Sequence, residues 1–92
     1  MTDAEILQWT RDYVTQNFLY MRRNFSLGDG DSLLATGVID SLGVMELVGF
    51  VEQTFGVTVD PAEITEVNFG SLAGIARYVG TNGPAAAGAG GE

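Results

Sequence analysis

Ser41 is the residue whose type and position best suit covalent chemistry. It follows Asp40 at the predicted start of a helix. The Asp40 carboxylate can accept hydrogen bonds from backbone amides there and so cap the helix. The Ser41 hydroxyl is then left to receive a chemical group. The alternative is that Ser41 itself caps the helix and does nothing else, as a lone serine at such a position usually does.

The residues that normally activate a serine are missing from the chain. The sequence has no histidine and no lysine, so only carboxylates are left to act as a base, and we exclude a serine hydrolase. It also has no cysteine, which excludes a disulfide scaffold and thiolate metal sites, and we expect no metal centre. Any thiol that the protein uses must therefore come from another molecule.

A formal net charge of -8 dominates the chemistry of this 92-residue chain, with 12 acidic residues against 4 basic ones. Such a field repels nucleic acid and anionic membranes and attracts basic protein surfaces, so we expect no nucleic-acid partner and no membrane insertion. A domain of this size favours binding or carrying over catalysis in a deep active site. The polar start has no features of a signal peptide, which makes the cytoplasm the expected location.

The first predicted helix begins at a capping box, Thr2-Asp-Ala-Glu5, and is amphipathic. Its core-facing arc is predicted to hold Ile6, Leu7, Trp9, Tyr13, Val14, Phe18, Tyr20 and Met21. Between Arg22 and Asp40, glycines, aspartates and serines predict a long loop. Five apolar residues are expected to hold this loop to the core: Leu27, Leu33, Leu34, Val38 and Ile39.

Three further elements follow the long loop. Helix two is predicted from about Ser41 to Phe55, with Gly56 as its C-terminal glycine. A short third helix is predicted over Asp60-Pro61-Ala62-Glu-Ile64-Thr65, with the proline in its first turn, and a last helix is predicted from Asn68 or Ser71 to Val79. Residues 1–80 are therefore expected to form an all-α domain with three main helices and one short one. Residues 81–92, rich in glycine and alanine, are expected to form a flexible tail.

Helix two carries two large apolar residues on the face that should be solvated. If its core stripe is Val44, Leu47, Val48, Val51 and Phe55, the opposite face holds Leu42, Met45, Glu46, Gly49, Glu52 and Gln53. Apolar side chains among acids predict a docking surface for a basic partner, although single exposed apolar residues are common and need no function. Gly43 and Gly49 each cost the helix about 1 kcal/mol relative to alanine. Close approach of a partner would explain this cost, and the alternative is a sequence that is not optimised for helix stability.

The segment Thr36-Gly-Val-Ile-Asp-Ser-Leu-Gly-Val-Met-Glu-Leu-Val48 resembles the modification site of acyl carrier proteins. The similarity covers roughly residues 4 to 79 and includes the helix order, the small size and the acidity. It implies an acyl-carrier-like four-helix bundle with a 4'-phosphopantetheine arm on Ser41 and Asp40 as the helix cap beside it. It also implies a carrier, not an enzyme, that holds acyl groups as thioesters on the thiol of the arm.

The same resemblance implies a set of protein partners. A phosphopantetheinyl transferase would attach the arm from coenzyme A with magnesium. An acyl or aminoacyl ligase would load it, and downstream acyltransferases with basic surfaces would unload it. The docking residues would be Leu42, Met45, Glu46, Gly49 and Glu52. The carrier itself is expected to be a monomer.

The residues around the motif leave the cargo open. Gly43 and Gln53 stand where carriers of fatty-acid synthesis commonly have acidic residues. Phe50 is large enough to fill the space that such carriers leave for a sequestered chain. The resemblance therefore favours a freestanding carrier of aminoacyl, D-alanyl or specialised acyl groups. The alternative is an unmodified helical interaction module that docks a basic partner through helix two.

Overall fold

The computed structural model describes residues 2–19 and 26–83, and the regular structure in these residues is entirely helical. The elements are α1 (Asp3–Phe18), α2 (Ser41–Phe55), a short 3₁₀ helix (Pro61–Glu63), α3 (Glu66–Phe69) and α4 (Leu72–Asn82). Three long α-helices and one short one, with an irregular segment over residues 26–40 before α2, confirm the predicted fold class. No helix in the described part of the chain is long and apolar enough to cross a membrane.

Side-chain caps set the helix boundaries. The Thr2 amide donates to Glu5 Oε1 at 2.8 Å and the Glu5 amide donates to Thr2 Oγ1 at 3.2 Å, which confirms the predicted capping box of α1. Gly56 ends α2 in the left-handed region with φ 70. Ser71 Oγ accepts the Gly74 amide at 3.1 Å and caps α4, which decides between the two predicted start points of the last helix.

A single apolar core lies among α1, α2 and α4. Its fully enclosed side chains include Val14, Leu47, Val51, Leu72 and Ile75, each with an exposed fraction of 0%. The equally buried Thr10 donates its hydroxyl to Ile6 O at 2.8 Å, so its polar group has a partner. The sequence prediction missed Thr10 because it counted only apolar residues, although the helical period places it between Ile6 and Val14.

Two predicted core residues lie at the surface. Trp9 is 49% exposed because it stands on the edge of α1 that faces α2, where its ring meets Phe55 with centroids 6.3 Å apart. Leu34 is 44% exposed because the loop turns at this point and directs its neighbour Leu33 inward instead. Tyr20 and Met21, which were predicted to extend the arc of α1, lie outside the described residues.

Two predicted helix boundaries after α2 were wrong. The short helix predicted over 60–65 does begin with the proline in its first turn, but it is a 3₁₀ helix that ends at Glu63. The separate helix α3 follows it, because two different residues act as caps. Asp60 Oδ1 accepts the Ala62 amide at 2.8 Å, and Thr65 Oγ1 accepts the Asn68 amide at 3.2 Å. Helix α4 continues past Val79 to Asn82, so the last helix enters the segment predicted as a tail. The rest of that predicted tail, from residue 84 on, lies outside the described residues.

The long loop is tied to α1, to the end of α3 and to α4 by hydrogen bonds. Arg11 on α1 donates to Leu27 O at 2.7 Å and forms an ion pair with Asp29. The Ala73 amide donates to Asp29 O at 2.9 Å, and the Leu33 amide donates to Gly70 O at 2.8 Å. These contacts hold the backbone that leads into α2 and so position the first turn of that helix.

Tyr78 on α4 ties the 3₁₀ helix to the core. Its side chain is buried, and its hydroxyl donates to Glu63 Oε1 at 2.7 Å. Burial, followed by the hydrogen bond and negative charge of Glu63, raises the pKa of Tyr78 from 10.0 to about 12. The folded state therefore binds the phenol proton more tightly than the unfolded chain does.

We expect this tyrosine to make the fold sensitive to alkali. Its contribution to stability is complete below the unfolded pKa of 10.0 and is lost as the pH rises through the folded pKa of about 12. The variant Tyr78→Phe should show a weaker loss of unfolding free energy across this interval, measured by urea denaturation at several pH values. An unchanged pH dependence in this variant would mean that another group causes the loss.

Candidate modification site and docking face

Ser41 is the first residue of α2, and its side chain is exposed. Asp40 is the N-cap: its Oδ1 accepts the Gly43 amide at 2.7 Å. The capping role is therefore filled by Asp40, which contradicts the alternative that Ser41 serves only as the cap. An exposed hydroxyl at the positive end of a helix dipole is a favourable place for a phosphodiester, so the residues present fit a phosphopantetheine arm.

Gly43 is buried beneath the first turn of α2 and does not face a partner. A Cβ at this position would lie 2.7 Å from Ile39 Cγ2 and 3.1 Å from Phe18 Cε1. Ile39 is 2% exposed and β-branched, so it cannot move away at low cost. Glycine at this position lets the turn that carries Ser41 pack on the loop and on α1. The predicted explanation by partner approach is therefore wrong for Gly43.

The two glycines of α2 should respond to alanine in opposite directions. A Cβ at Gly49 would meet nothing within 4 Å, so Gly49→Ala should stabilise the fold by up to about 1 kcal/mol through helix propensity. For Gly43→Ala, the same gain is outweighed by overpacking of about 1–3 kcal/mol, so we expect a net loss. Urea denaturation of both variants measures the difference, and stabilisation by both would contradict the packing described for Gly43.

The outward face of α2 presents the two predicted apolar residues to solvent. Leu42 is 65% exposed and Met45 is 57% exposed, and Glu46 beside them is exposed as well. Gly49 is half-buried on the same side of the helix. This arrangement is the one that the sequence predicted, and it gives the start of α2 an apolar surface with an acidic edge next to Ser41.

Glu52 has an internal contact that the sequence prediction did not include. It is half-buried, and its Oε2 accepts the Val59 amide at 2.9 Å. The carboxylate thus joins the end of α2 to the extended segment that follows Gly56. Since this contact occupies the side chain, Glu52 is less suited than Glu46 to interact with a partner.

Val67 on α3 is an exposed apolar residue that the sequence analysis missed. It is 72% exposed, more than Leu42 or Met45. The sequence pattern predicts that residues 66 and 67 lie between two helices, so it assigns Val67 no helix face. The cap at Thr65 is the signal that would have identified the separate helical turn.

A cleft opens beside Ser41, with a volume of about 360 Å³. We call it the Ser41 cleft. Its walls combine apolar side chains with two carboxylates, and they come from the end of α1, the loop and the first turns of α2: Phe18, Gly37, Val38, Asp40, Leu42, Gly43 and Glu46. The cleft therefore lies against both neighbours of Ser41 in the sequence.

A second opening of about 260 Å³ lies between α1 and α2, and we call it the aromatic groove. Its lining consists of Trp9, Asp12, Tyr13, Gln16 and Phe50. The rings of Tyr13 and Phe50 stack with centroids 4.1 Å apart. Helix α1 packs closely on α4, whereas these aromatic side chains fill the wider space between α1 and α2. Burial, and then the negative charge of Glu46, raises the pKa of Tyr13.

Comparison with known families accounts for this geometry. Residues 22–79, more than half of the chain, match the family model described as the phosphopantetheine attachment site. A comparison with curated proteins finds no significant match. Domains of the matched family are carriers without catalytic activity, and they receive a covalent 4'-phosphopantetheine group. The matched range contains α2 with its exposed N-terminal turn, and this chain belongs to the phosphopantetheine-binding family of carrier domains.

Proposed function

We propose that the protein carries acyl or aminoacyl groups as thioesters on a 4'-phosphopantetheine arm attached to Ser41. The observation that supports this site best is the exposure of Ser41 on the first turn of α2 while Asp40 takes the capping role. In the attachment step, Ser41 Oγ forms a bond to the β-phosphorus of coenzyme A. Adenosine 3',5'-bisphosphate leaves, and the serine proton passes to a base of the transferase.

The chain itself contributes to this chemistry by positioning the Ser41 hydroxyl. Exposure allows the hydroxyl to enter the active site of a transferase, and the loop contacts keep the first turn of α2 in place. Afterwards the arm extends from a surface from which it can reach successive partner enzymes. We propose that the carrier works in the cytoplasm, where coenzyme A and the transferase are available.

A direct test uses the purified apo protein, a broad-specificity phosphopantetheinyl transferase, coenzyme A and magnesium. Intact-mass spectrometry should show the addition of one arm, and a thiol reagent should then detect one new thiol in a chain that has no cysteine. A folded sample that gains no mass would contradict the proposal and favour the unmodified interaction module.

We propose that partner enzymes dock on the outward face of α2. Leu42 and Met45 provide apolar anchors, and Glu46 attracts a basic surface. Loss of a buried interface anchor commonly costs about 2 kcal/mol or more and acts mainly on dissociation, whereas a charge at the rim acts mainly on association. The transferase is the first partner for which effects on dissociation can be separated from effects on association.

The variants Leu42→Ala and Met45→Ala should therefore dissociate from the transferase about thirtyfold faster, as a loss of 2 kcal/mol implies. Glu46→Gln should associate more slowly, most clearly at low salt. Thr15→Lys on α1 changes the net charge by the same amount at an exposed position and is the matched control. Stopped-flow binding at two ionic strengths separates these effects. Wild-type kinetics in all the α2 variants would place the docking surface elsewhere.

A further inference from the structure

The Ser41 cleft and the aromatic groove adjoin each other along the seam between α1 and α2. Phe18 lines the cleft and Tyr13 lines the groove, and their rings meet edge to face with centroids 6.0 Å apart. Glu46 lines the cleft, and its negative charge raises the pKa of Tyr13, which lines the groove. A ligand that starts at Ser41 can therefore follow one surface from the cleft into the groove.

The groove combines aromatic faces with one carboxylate, that of Asp12. Trp9 is half exposed, Tyr13 and Phe50 are stacked, and Asp12 is exposed at the rim. Arg11, the neighbour of Asp12 in the sequence, is directed to Leu27 and Asp29 on the other side. Aromatic ring faces and carboxylates both attract cations, so the groove suits an ammonium or guanidinium group better than a neutral or acidic one.

An arm attached to Ser41 is long enough to reach this groove. Phe50 follows Ser41 by nine residues of continuous helix, which corresponds to about 13 Å along the axis of α2. The pantoyl, β-alanyl and cysteamine units of phosphopantetheine form an extended chain longer than this distance. Apolar walls in the Ser41 cleft, from Phe18, Val38 and Leu42, offer contacts to the middle of the arm.

We propose that the aromatic groove holds the acyl end of the carrier's own arm and favours cargo with a positively charged amino group, such as an α-aminoacyl thioester. This inference rests on the proposed attachment at Ser41. The ammonium group lies against the rings of Trp9 and Tyr13, with Asp12 at the rim as its counter-charge and Glu46 in the adjoining Ser41 cleft. A neutral acyl group of the same size gains nothing from the Asp12 carboxylate and partly removes its water.

An arginine side chain of a partner protein is the competing occupant, because it has the same charge. The tethered arm has the advantage, since a linked ligand meets its site at a high effective concentration. The position of the groove on the helix that begins with Ser41 also favours the arm, because no partner has to be aligned for it to bind.

The test loads the protein with arms of three kinds through the transferase. The coenzyme A analogues carry alanyl, lactyl or propionyl groups, each joined by an amide in place of the thioester so that the cargo is stable. The indole Nε1–H signal of Trp9, the sole tryptophan, reports occupancy of the groove by NMR. The alanyl arm should shift this signal. The shift should disappear as the pH rises above about 8, because the α-amino group then loses its proton.

The lactyl and propionyl arms should leave the Trp9 signal where it stands in the protein with an unloaded arm. In the alanyl-loaded protein, Asp12→Asn should lower the equilibrium constant for binding of the arm in the groove about two- to fivefold. A change of this size is the effect of one exposed charge pair. Glu66→Gln, which removes the same charge on α3, is the matched control and should leave the signal unchanged.

The outcomes separate this inference from the proposed function. An intact mass without any addition overturns the attachment at Ser41 and this inference with it. Complete loading with equal Trp9 signals for alanyl and lactyl arms leaves the carrier function intact and overturns the choice of cargo. A Trp9 shift caused by an added arginine-containing peptide, with none from the alanyl arm, assigns the groove to a partner protein and also overturns the inference.

Discussion

Replacement of Ser41 by alanine is expected to abolish attachment of the arm completely while the fold stays intact. The substitution removes only Oγ from an exposed side chain, and alanine is a good helix former. The cap of α2 is unaffected because it comes from Asp40. Intact-mass spectrometry after treatment with transferase, coenzyme A and magnesium should therefore show no addition. The circular dichroism spectrum of the variant should match that of the wild-type protein.

Ser71→Ala is the matched control because Ser71 is also a serine at the start of a helix. In this case the hydroxyl is the cap, and it accepts the Gly74 amide at 3.1 Å. The variant should accept the arm normally and should lose about 1 kcal/mol of unfolding free energy, the usual value of such a cap. An arm that still attaches to Ser41→Ala would show that the proposed site is wrong.

The variant Leu47→Ala should lose about 2–5 kcal/mol of unfolding free energy, the usual cost of removing a buried leucine side chain. Leu47 has an exposed fraction of 0% and fixes α2 to the core. Because a domain of this kind has only about 5–15 kcal/mol in total, a substantial part of its stability would be lost. Urea denaturation, with the midpoint and the slope both fitted, measures the effect.

Met45→Ala provides the comparison for Leu47, two residues away on the same helix. Met45 is 57% exposed, so its truncation should change the unfolding free energy by less than about 0.5 kcal/mol. The same variant is expected to weaken docking to the transferase. Unfolding free energy and docking kinetics therefore distinguish the buried face of α2 from its exposed face. Equal destabilisation by the two substitutions would contradict the orientation of α2 described above.

Helix α2 was predictable from its sequence because its signals are local. Asp40 and Gly56 mark its two ends by capping chemistry, and both act within one helical turn. The exposure of Leu42 and Met45 followed from the helical period once the apolar stripe had been identified. The exposed position of Ser41 followed in turn from the assignment of the cap to Asp40.

Features that depend on the arrangement of separate elements were not predictable in the same way. Gly43 is required by Ile39 and Phe18, which come from the loop and from α1. Trp9 is on the apolar arc of α1 but faces the seam with α2, and no helical period indicates which neighbour an arc will meet. The contact between Glu52 and the Val59 amide depends on the path of the chain after Gly56. Each of these contacts joins two elements whose relative position is absent from local sequence patterns.

The central claim is that the arm is attached to Ser41, and peptide mapping of the modified protein tests it most directly. Cleavage after glutamate releases residues 6–46 as one peptide, which contains Ser26, Ser32 and Ser41. Tandem mass spectrometry of this peptide should show the mass of one phosphopantetheine and fragment ions that place it on Ser41 alone. An arm located on Ser26 or Ser32, or a peptide without any arm after complete treatment with transferase, would contradict the claim.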